Sequence, residues 1–494
     1  MLFRSIAEGA KGVAMFFGVT AIITLVLLLY YSRSLRFSLV LLACAFIAVI
    51  WQLGLMVSLG YGIDPMSILL PFLIFAIAVS HGVQMITAVS HEMSEPGATS
   101  EGAARAAFRR LAGAGSAAVL ADVAGFLTLA LIAIAMIREL AYTAALGVGV
   151  ILITNLVLLP IWLSYLRIPK NTMHQREHIE HAHEGLWRSL GALSRPRNAL
   201  TAIALAVLLG TWGLHYSKNM VIGDTQAGAP EFHADSRYNI DAAYITSHFS
   251  IGTDILNVIA EAGPSACVEP DVVNYIDDFD WAIRNVEGVH SSISLPQAMK
   301  IVASGWNEGN IKWRALPLSA GATEDEKARN RSLLTQASRP IETSTGLLNA
   351  DCSVMPITFF LTDHKAETID HVTGAINKWI SDNPSNVVKL RLATGNIGVM
   401  AATNDAVRAA ELPMLFAVYI AVALFCLITF RSFAAVICCV LPLVLVSILA
   451  NAMMAFLGIG LKVATLPIAA LGVGIGVDYG IYIFSRLQVH LASG

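Results

Sequence analysis

Nine stretches of this chain are apolar over about the length of a membrane-crossing helix, and no other feature constrains its fold as much. They lie near residues 12–31, 35–59, 65–90, 111–136, 140–166, 198–216, 411–430, 434–457 and 464–487. A bilayer core roughly 30 Å thick takes about 20 apolar residues in helical form. Inside lipid, a backbone satisfies its hydrogen bonds only as a helix or a closed barrel. The pattern therefore predicts a polytopic α-helical membrane protein. Apolar residues make up 56% of the 494 and charged residues 14%, which excludes a soluble protein built on one core. A formal net charge of -3 separates no class from another and gives no ground for a nucleic-acid partner.

Arginine and lysine in the short connections set the orientation, because these residues resist translocation. Arg33 and Arg36 follow the first span, and Arg105, Arg109 and Arg110 the third. Arg167, Lys170, Arg176, Arg188, Arg195 and Arg197 separate the fifth from the sixth, Arg431 follows the seventh, and Arg486 closes the ninth. Strict alternation puts all of them on one side, the cytoplasmic one. The long polar segment 217–410 then lies outside, and so does Met1. An outside N-terminus without a signal-peptide pattern leads us to expect a fragment of a longer protein. The predicted organisation is a block of five spans over 1–166, a cytoplasmic linker over 167–197 and a span over 198–216. The outer domain follows over 217–410, then three spans over 411–487 and a tail over 488–494.

Few ionisable residues interrupt the spans. In GVGIGVDYGIYIFSR, Gly472 to Arg486, Asp478 sits deep in an apolar run. A charge at mid-bilayer costs roughly 2.5–3.5 kcal/mol on insertion scales, so an intramembrane carboxylate is a functional candidate. Gly472, Gly476 and Gly480 recur every fourth residue and predict a smooth stripe for close approach of a neighbouring helix. The third span carries Ser80, His81 and Gln84 in mid-run. Setting VSHGVQMI (Val79 to Ile86) beside VDYGIYIF (Val477 to Phe484) aligns Ser80 with Asp478, His81 with Tyr479 and Gly82 with Gly480. The flanks agree as well, with YSRSLRFSLVLL resembling FRSFAAVICCVLP. Such an internal repeat is a recognised transporter plan, with the polar groups near the midplane between the halves.

A second intramembrane carboxylate, Asp122, lies in the fourth span. It pairs with His81, completes a polar cluster with Asn155, or lines a water path. Residues 91–110 predict a cytoplasmic helix lying along the membrane, and Arg138 and Glu139 a short outer turn. In the linker, His174, His178 and His181 read as a solvated helix face, because nothing completes a recognisable metal site. No nucleotide-binding loop is present, since GDTQAG and GAGSAAV lack the lysine, which argues against ATP as an energy source. No enzyme signature is found.

The outer segment shows strand–helix–strand patterning twice: 253–261, 270–286 and 289–295, then 353–363, 367–382 and 388–395. This predicts an α+β domain of split βαβ type, with a loop-rich stretch over 300–350. Cys267 and Cys352 are its only cysteines; an oxidising periplasm would allow them to bond, though their separation decides nothing. Cys44, Cys426, Cys438 and Cys439 read as small core residues of the spans.

On the Asp-Tyr-Gly motif, the repeat, the outer domain between two blocks of spans and the segment GDTQAGAPEFHADSRYN, the chain resembles the resistance-nodulation-division (RND) superfamily. Within it, the likeness is to the hydrophobe exporter or MMPL-type branch, related to Patched and to sterol-sensing-domain proteins. The resemblance covers essentially the whole chain and implies spans two to ten of twelve and one of two ferredoxin-like porter domains. It further implies proton-driven export of lipids or other hydrophobic or amphiphilic compounds, with no cofactor beyond the proton motive force. Homo-oligomers and periplasmic partner proteins are compatible with it.

By the resemblance, Asp478 and Tyr479 match the relay motif of the tenth span. The fourth departs from it, with Ser80 where aspartate is usual and His81 beside it. The expected relay is Asp478 with His81 across the repeat interface, Tyr479 and Ser80 as hydrogen-bonding neighbours, and Asp122 nearby. Gly472, Gly476, Gly480 and Gly82 are expected to serve helix packing, and no metal is expected. Two other readings stay open. One is a sterol-sensing-like lipid binder that signals without pumping; the other is an envelope scaffold.

Overall fold

A computed structural model describes residues 2–64, 66–94, 97–166, 184–229, 232–318 and 320–492. His174, His178 and His181 lie outside the described residues. In chain order the helices are α1 (Leu2–Ser32), α2 (Leu35–Ser58), α3 (Leu70–Met93), α4 (Ser100–Thr128), α5 (Ala135–Ile151), α6 (Leu159–Tyr165), α7 (Glu184–Gly191) and α8 (Pro196–Ser217). There follow α9 (Arg237–His248), β1 (Ile255–Glu261), α10 (Pro270–Arg284), β2 (Val289–Ile293), α11 (Leu295–Gly305), α12 (Glu324–Ser338), β3 (Val354–Leu361), α13 (Ala366–Asp382) and β4 (Lys389–Thr394). The chain closes with α14 (Asn396–Phe430), α15 (Phe433–Phe456) and α16 (Leu466–Ala492). Among the described residues, nine helical segments are long and apolar enough to cross a bilayer.

The chain divides into two compact units. The first comprises Met1–Met220, Ala406–Leu457 and Val463–Gly494; the second comprises Val221–Asp405 and Gly458–Lys462. The boundary at 405/406 falls inside α14, so that helix starts well before the apolar run at 411.

In the first unit, two expectations are corrected. Residues 100–110 are not a separate surface helix but the opening turns of the spanning helix α4. Thr99 caps it by accepting from the Gly102 amide at 3.1 Å, no proline lies between Arg110 and Thr128, and Ala103, Ala104 and Ala107 are buried in the bundle. Arg138 and Glu139 lie in α5 rather than in a turn. The chain reverses at 132–134, where the Arg138 guanidinium donates to the Ile132 carbonyl at 2.9 Å and so satisfies a free helix end. Between α5 and α6 the helix widens to a π segment over Leu152–Leu158. Pro160 has no amide hydrogen to offer the preceding turn, and the loosened segment aims Asn155 at the Ala78 carbonyl of α3.

The repeat is present in the backbone as well as in the letters. Arg33 and Arg431 both take left-handed φ, 52° and 49°, and each is followed by an extended serine that starts the next helix. Gly82 packs on Leu41, and at the equivalent position in the other half Gly480 packs on Cys439. Cys44, Cys426 and Cys439 are buried, whereas Cys438 is exposed and is not a core residue.

The second unit is built on a four-stranded sheet of order β2-β3-β1-β4, with every neighbouring pair antiparallel. Leu256, Val258 and Ala260 alternate inward along β1, as a half-buried strand requires. Against that face α10 places Val273, Ile276, Phe279 and Ile283, and α13 places Ile369, Val372 and Ile376, each set at helical spacing. The stretch 300–350, expected to be loop-rich, instead carries most of α11 and all of α12. The sequence of α12 is polar nearly all round, so its pattern is weak; its start is the capping box formed by Thr323 and Glu326. Cys267 and Cys352 are disulfide-bonded with Cα atoms 5.3 Å apart, joining the turn after β1 to the loop before β3.

Loop 458–462 is stitched to residues 221–224. The Gly223 amide donates to the Leu461 carbonyl at 2.9 Å, the Leu461 amide to the Val221 carbonyl at 2.8 Å, and Lys462 pairs with Asp224 at 2.7 Å. Close by, buried His364 donates from Nδ1 to the Asp254 carboxylate at 3.0 Å. That hydrogen bond holds the imidazole above its ordinary pKa, against burial, with the charges of Asp254 and Asp224 and the Gly228 backbone adding to it. A group raised on folding stabilises fully below its unfolded pKa and loses that contribution as pH rises through the folded one. Raising pH from about 6 to about 9 should therefore lower the melting temperature of the wild type more than that of His364→Gln, as read by thermal unfolding at fixed ionic strength.

Candidate functional site in the helical bundle

Three helices converge on one buried polar cluster. His81 projects from α3, Asp122 from α4, and Asp478 and Tyr482 from α16, all within the first unit. His81 and Asp478 are 5% exposed and Asp122 1%. Asp478 and Tyr482 stand four residues apart and so share a helix face. Between them sits the His81 ring, with Nδ1 2.9 Å from the Tyr482 hydroxyl and Nε2 3.2 Å from Oδ2 of Asp478. The second contact has ion-pair distance without the alignment of a hydrogen bond, so Nε2 has no hydrogen-bond partner among the described residues. Oδ1 of Asp478 and both carboxylate oxygens of Asp122 are likewise without one. One ligating atom from each of His81, Asp122 and Asp478 lies within 4.8 Å of the other two, the one such group of three found among the described residues. These donors can hold a proton or a small cation.

Glycines lie at this contact. A Cβ on Gly474 would stand 3.5 Å from Oδ1 of Asp122, and one on Gly125 would stand 3.5 Å from the Cα of Gly474, both ordinary contact distances. Gly125 and Gly474 thus mark where α4 and α16 meet, at a separation that alanine would also tolerate, and neither belongs to the stripe expected from sequence. Of that stripe, Gly476 and Gly480 face Leu443 and Cys439 of α15, and Gly472 meets nothing within 4 Å, so it is not a packing residue. Gly82 faces Leu41 and Leu159 rather than α16.

Tyr479, expected beside Asp478, is 59% exposed and points out of the bundle. Successive helical residues are rotated by about 100°, so the neighbour of a buried aspartate cannot share its face; the residue four positions on can, and that is Tyr482. Ser80, one step round from His81, is half-buried and makes no side-chain hydrogen bond among the described residues. Asn155 binds the Ala78 carbonyl, one turn before His81, rather than Asp122. The spacing in DYGIY was the available signal for Tyr482.

A cleft of about 280 Å³ lined by α3, α4 and α16 reaches Tyr482 past Arg110 and Arg486. Its polar wall includes Gln84, Thr87, Arg110, Ser485 and Arg486. Tyr482 lines the cleft and also binds His81, so one side chain links the buried cluster to the cleft.

A bundle of helices long and apolar enough to span a bilayer, with a buried cluster of ionisable groups, defines a multi-pass membrane protein. The sequence model of the MMPL family matches residues 3–201 and 339–494, well over half of the chain, and the chain belongs to the MMPL family, whose members are transporters of hydrophobic compounds in the RND superfamily. No match to a curated protein was found.

Proposed function

We propose that the chain is a proton-driven exporter of lipids or other hydrophobic compounds, with His81, Asp122 and Asp478 as its proton-binding cluster. One observation carries this reading: two carboxylates and an imidazole are buried together with several polar atoms unpartnered. A proton held on either carboxylate or on His81 gives the cluster discrete loaded and empty states. Transfer of one charge through the membrane field is worth about 2.3 kcal/mol per 100 mV, enough to bias one repeat half rocking against the other.

In this reading the second unit is a porter domain of split βαβ, ferredoxin-like type, supported by its sheet order and its two strand–helix–strand passes. Its periplasmic placement is supported by the arginine-rich short connections, which mark the cytoplasmic side under strict alternation of the spans, and by the Cys267–Cys352 disulfide. The host membrane is then the bacterial inner membrane.

The test is movement of a fluorescent amphiphile in vesicles holding the reconstituted protein under an imposed pH gradient. Transport that collapses with a protonophore and ignores a sodium gradient supports the reading. Transport that follows sodium overturns the proton, and binding without gradient-driven movement favours the lipid-sensing alternative. Tyr482→Phe removes the hydroxyl between cleft and cluster and should slow proton uptake after a pH jump about 10²-fold while the helices remain assembled. An unchanged uptake rate would rule out Tyr482 as the route.

A further inference from the structure

We infer that the second unit carries a binding site for a single-chain anionic amphiphile, a fatty acid being the simplest, in the cavity between α11 and α12. The cavity holds about 420 Å³, inside the range of roughly 300–1,000 Å³ typical of small-molecule sites. It lies within 202–338, between the two regions matched to the family, so the site is read from this chain's own residues. Its floor is dry: Met299, Leu334 and Ala337 are core residues at 0%, 1% and 5% exposure. Its rim is apolar yet open to solvent, with Trp306 and Trp313 each 57% exposed. An exposed apolar rim around a concave apolar floor is what an aliphatic chain covers.

Charge selects the headgroup. Lys312 is the one charged residue of the described lining, which contains no carboxylate. Its ammonium sits in the sequence between the cavity's aromatic rim residues and offers an anion three donors. The shape is also preformed. A turn through Glu308 and Gly309, with φ of 59° and 77°, brings Trp306 and Trp313 to the same rim. The far wall is tied down by the Asn274 amide on the Pro317 carbonyl and the Asn330 amide on the Leu318 carbonyl, both at 3.0 Å. A site already in shape loses little affinity to ordering. The inference names a substrate chemistry for the export reading and rests on that reading only for what the bound molecule is for.

The test is quenching of tryptophan emission by a mid-chain brominated fatty acid, using the full chain in lipid nanodiscs with no pH gradient. Saturable quenching is expected, and it should be lost in the W306F/W313F double variant. Lys312→Gln should weaken binding of the acid about fivefold and leave a brominated monoacylglycerol unaffected. Ala337→Trp fills the floor and should abolish binding of both; if that variant does not assemble, Ala303→Phe on the cavity wall serves the same purpose. Quenching of equal amplitude in W306F/W313F would overturn the site. Equal affinity for the acid and the neutral glyceride, with Lys312→Gln silent, would overturn the anionic assignment. Failure of quenching leaves the relay standing, and failure of proton coupling leaves this site standing.

Discussion

Asp478→Asn is expected to reduce pH-driven transport by about 10²-fold or more while the protein still inserts and folds. The carboxamide keeps the size of the side chain and its place beside His81, so α3, α4 and α16 have no steric reason to move. What disappears is the carboxylate that faces the imidazole at 3.2 Å and can take up and release a proton. Stability should hold, because the neutral carboxamide relieves the closeness to Asp122 while its oxygen or amide can still hydrogen-bond the His81 ring. Vesicle transport and thermal unfolding of the same preparation check both halves. Unimpaired pH-driven transport would sink the relay, and a sharp loss of stability would reassign Asp478 to structure.

The second large effect is expected at Gly460. A Cβ there would stand 1.9 Å from the Gly223 carbonyl oxygen, a backbone atom that cannot rotate aside. Gly223 is itself pinned: its φ is +118°, its amide binds Leu461, and a Cβ on it would meet Asn404 at 2.5 Å. Gly460→Ala must therefore separate 458–462 from 221–224, breaking the paired backbone bonds and straining the Lys462–Asp224 pair. A loss of about 1–3 kcal/mol is expected, as for other overpacked sites. Gly472→Ala is the control, since a Cβ there meets nothing within 4 Å in a helical backbone and should be near neutral. Limited proteolysis at 458–462 should accelerate in the first variant and not in the second.

The parts of the fold legible in the sequence share one physical cause, a periodic burial pattern. Apolar runs marked the spans, alternation marked β1, and helical spacing marked α10 and α13. The stretches that misled lack such a pattern. Residues 100–110 carry charges on the outer side of a helix whose inner side is mere alanine, and α12 buries little beyond Leu334 and Ala337. At the site, repeat alignment singled out His81 and Asp478, and their apolar surroundings marked Asp122 and Asp478 as costly. Alignment pairs letters, however, and letters do not say which way a helix is turned.

From the sequence alone, then, follow the number and place of the spans, the internal repeat, the sheet elements and the buried carboxylates, because each depends on local composition and period. Only the tertiary structure decided that Tyr482 and not Tyr479 meets His81, that Gly474 and Gly125 rather than Gly472 lie where α4 and α16 meet, and that Asp122 joins Asp478 from a different helix. Each is a matter of helix rotation and crossing. These are set by side-chain packing between segments far apart in the chain, and no single segment encodes them.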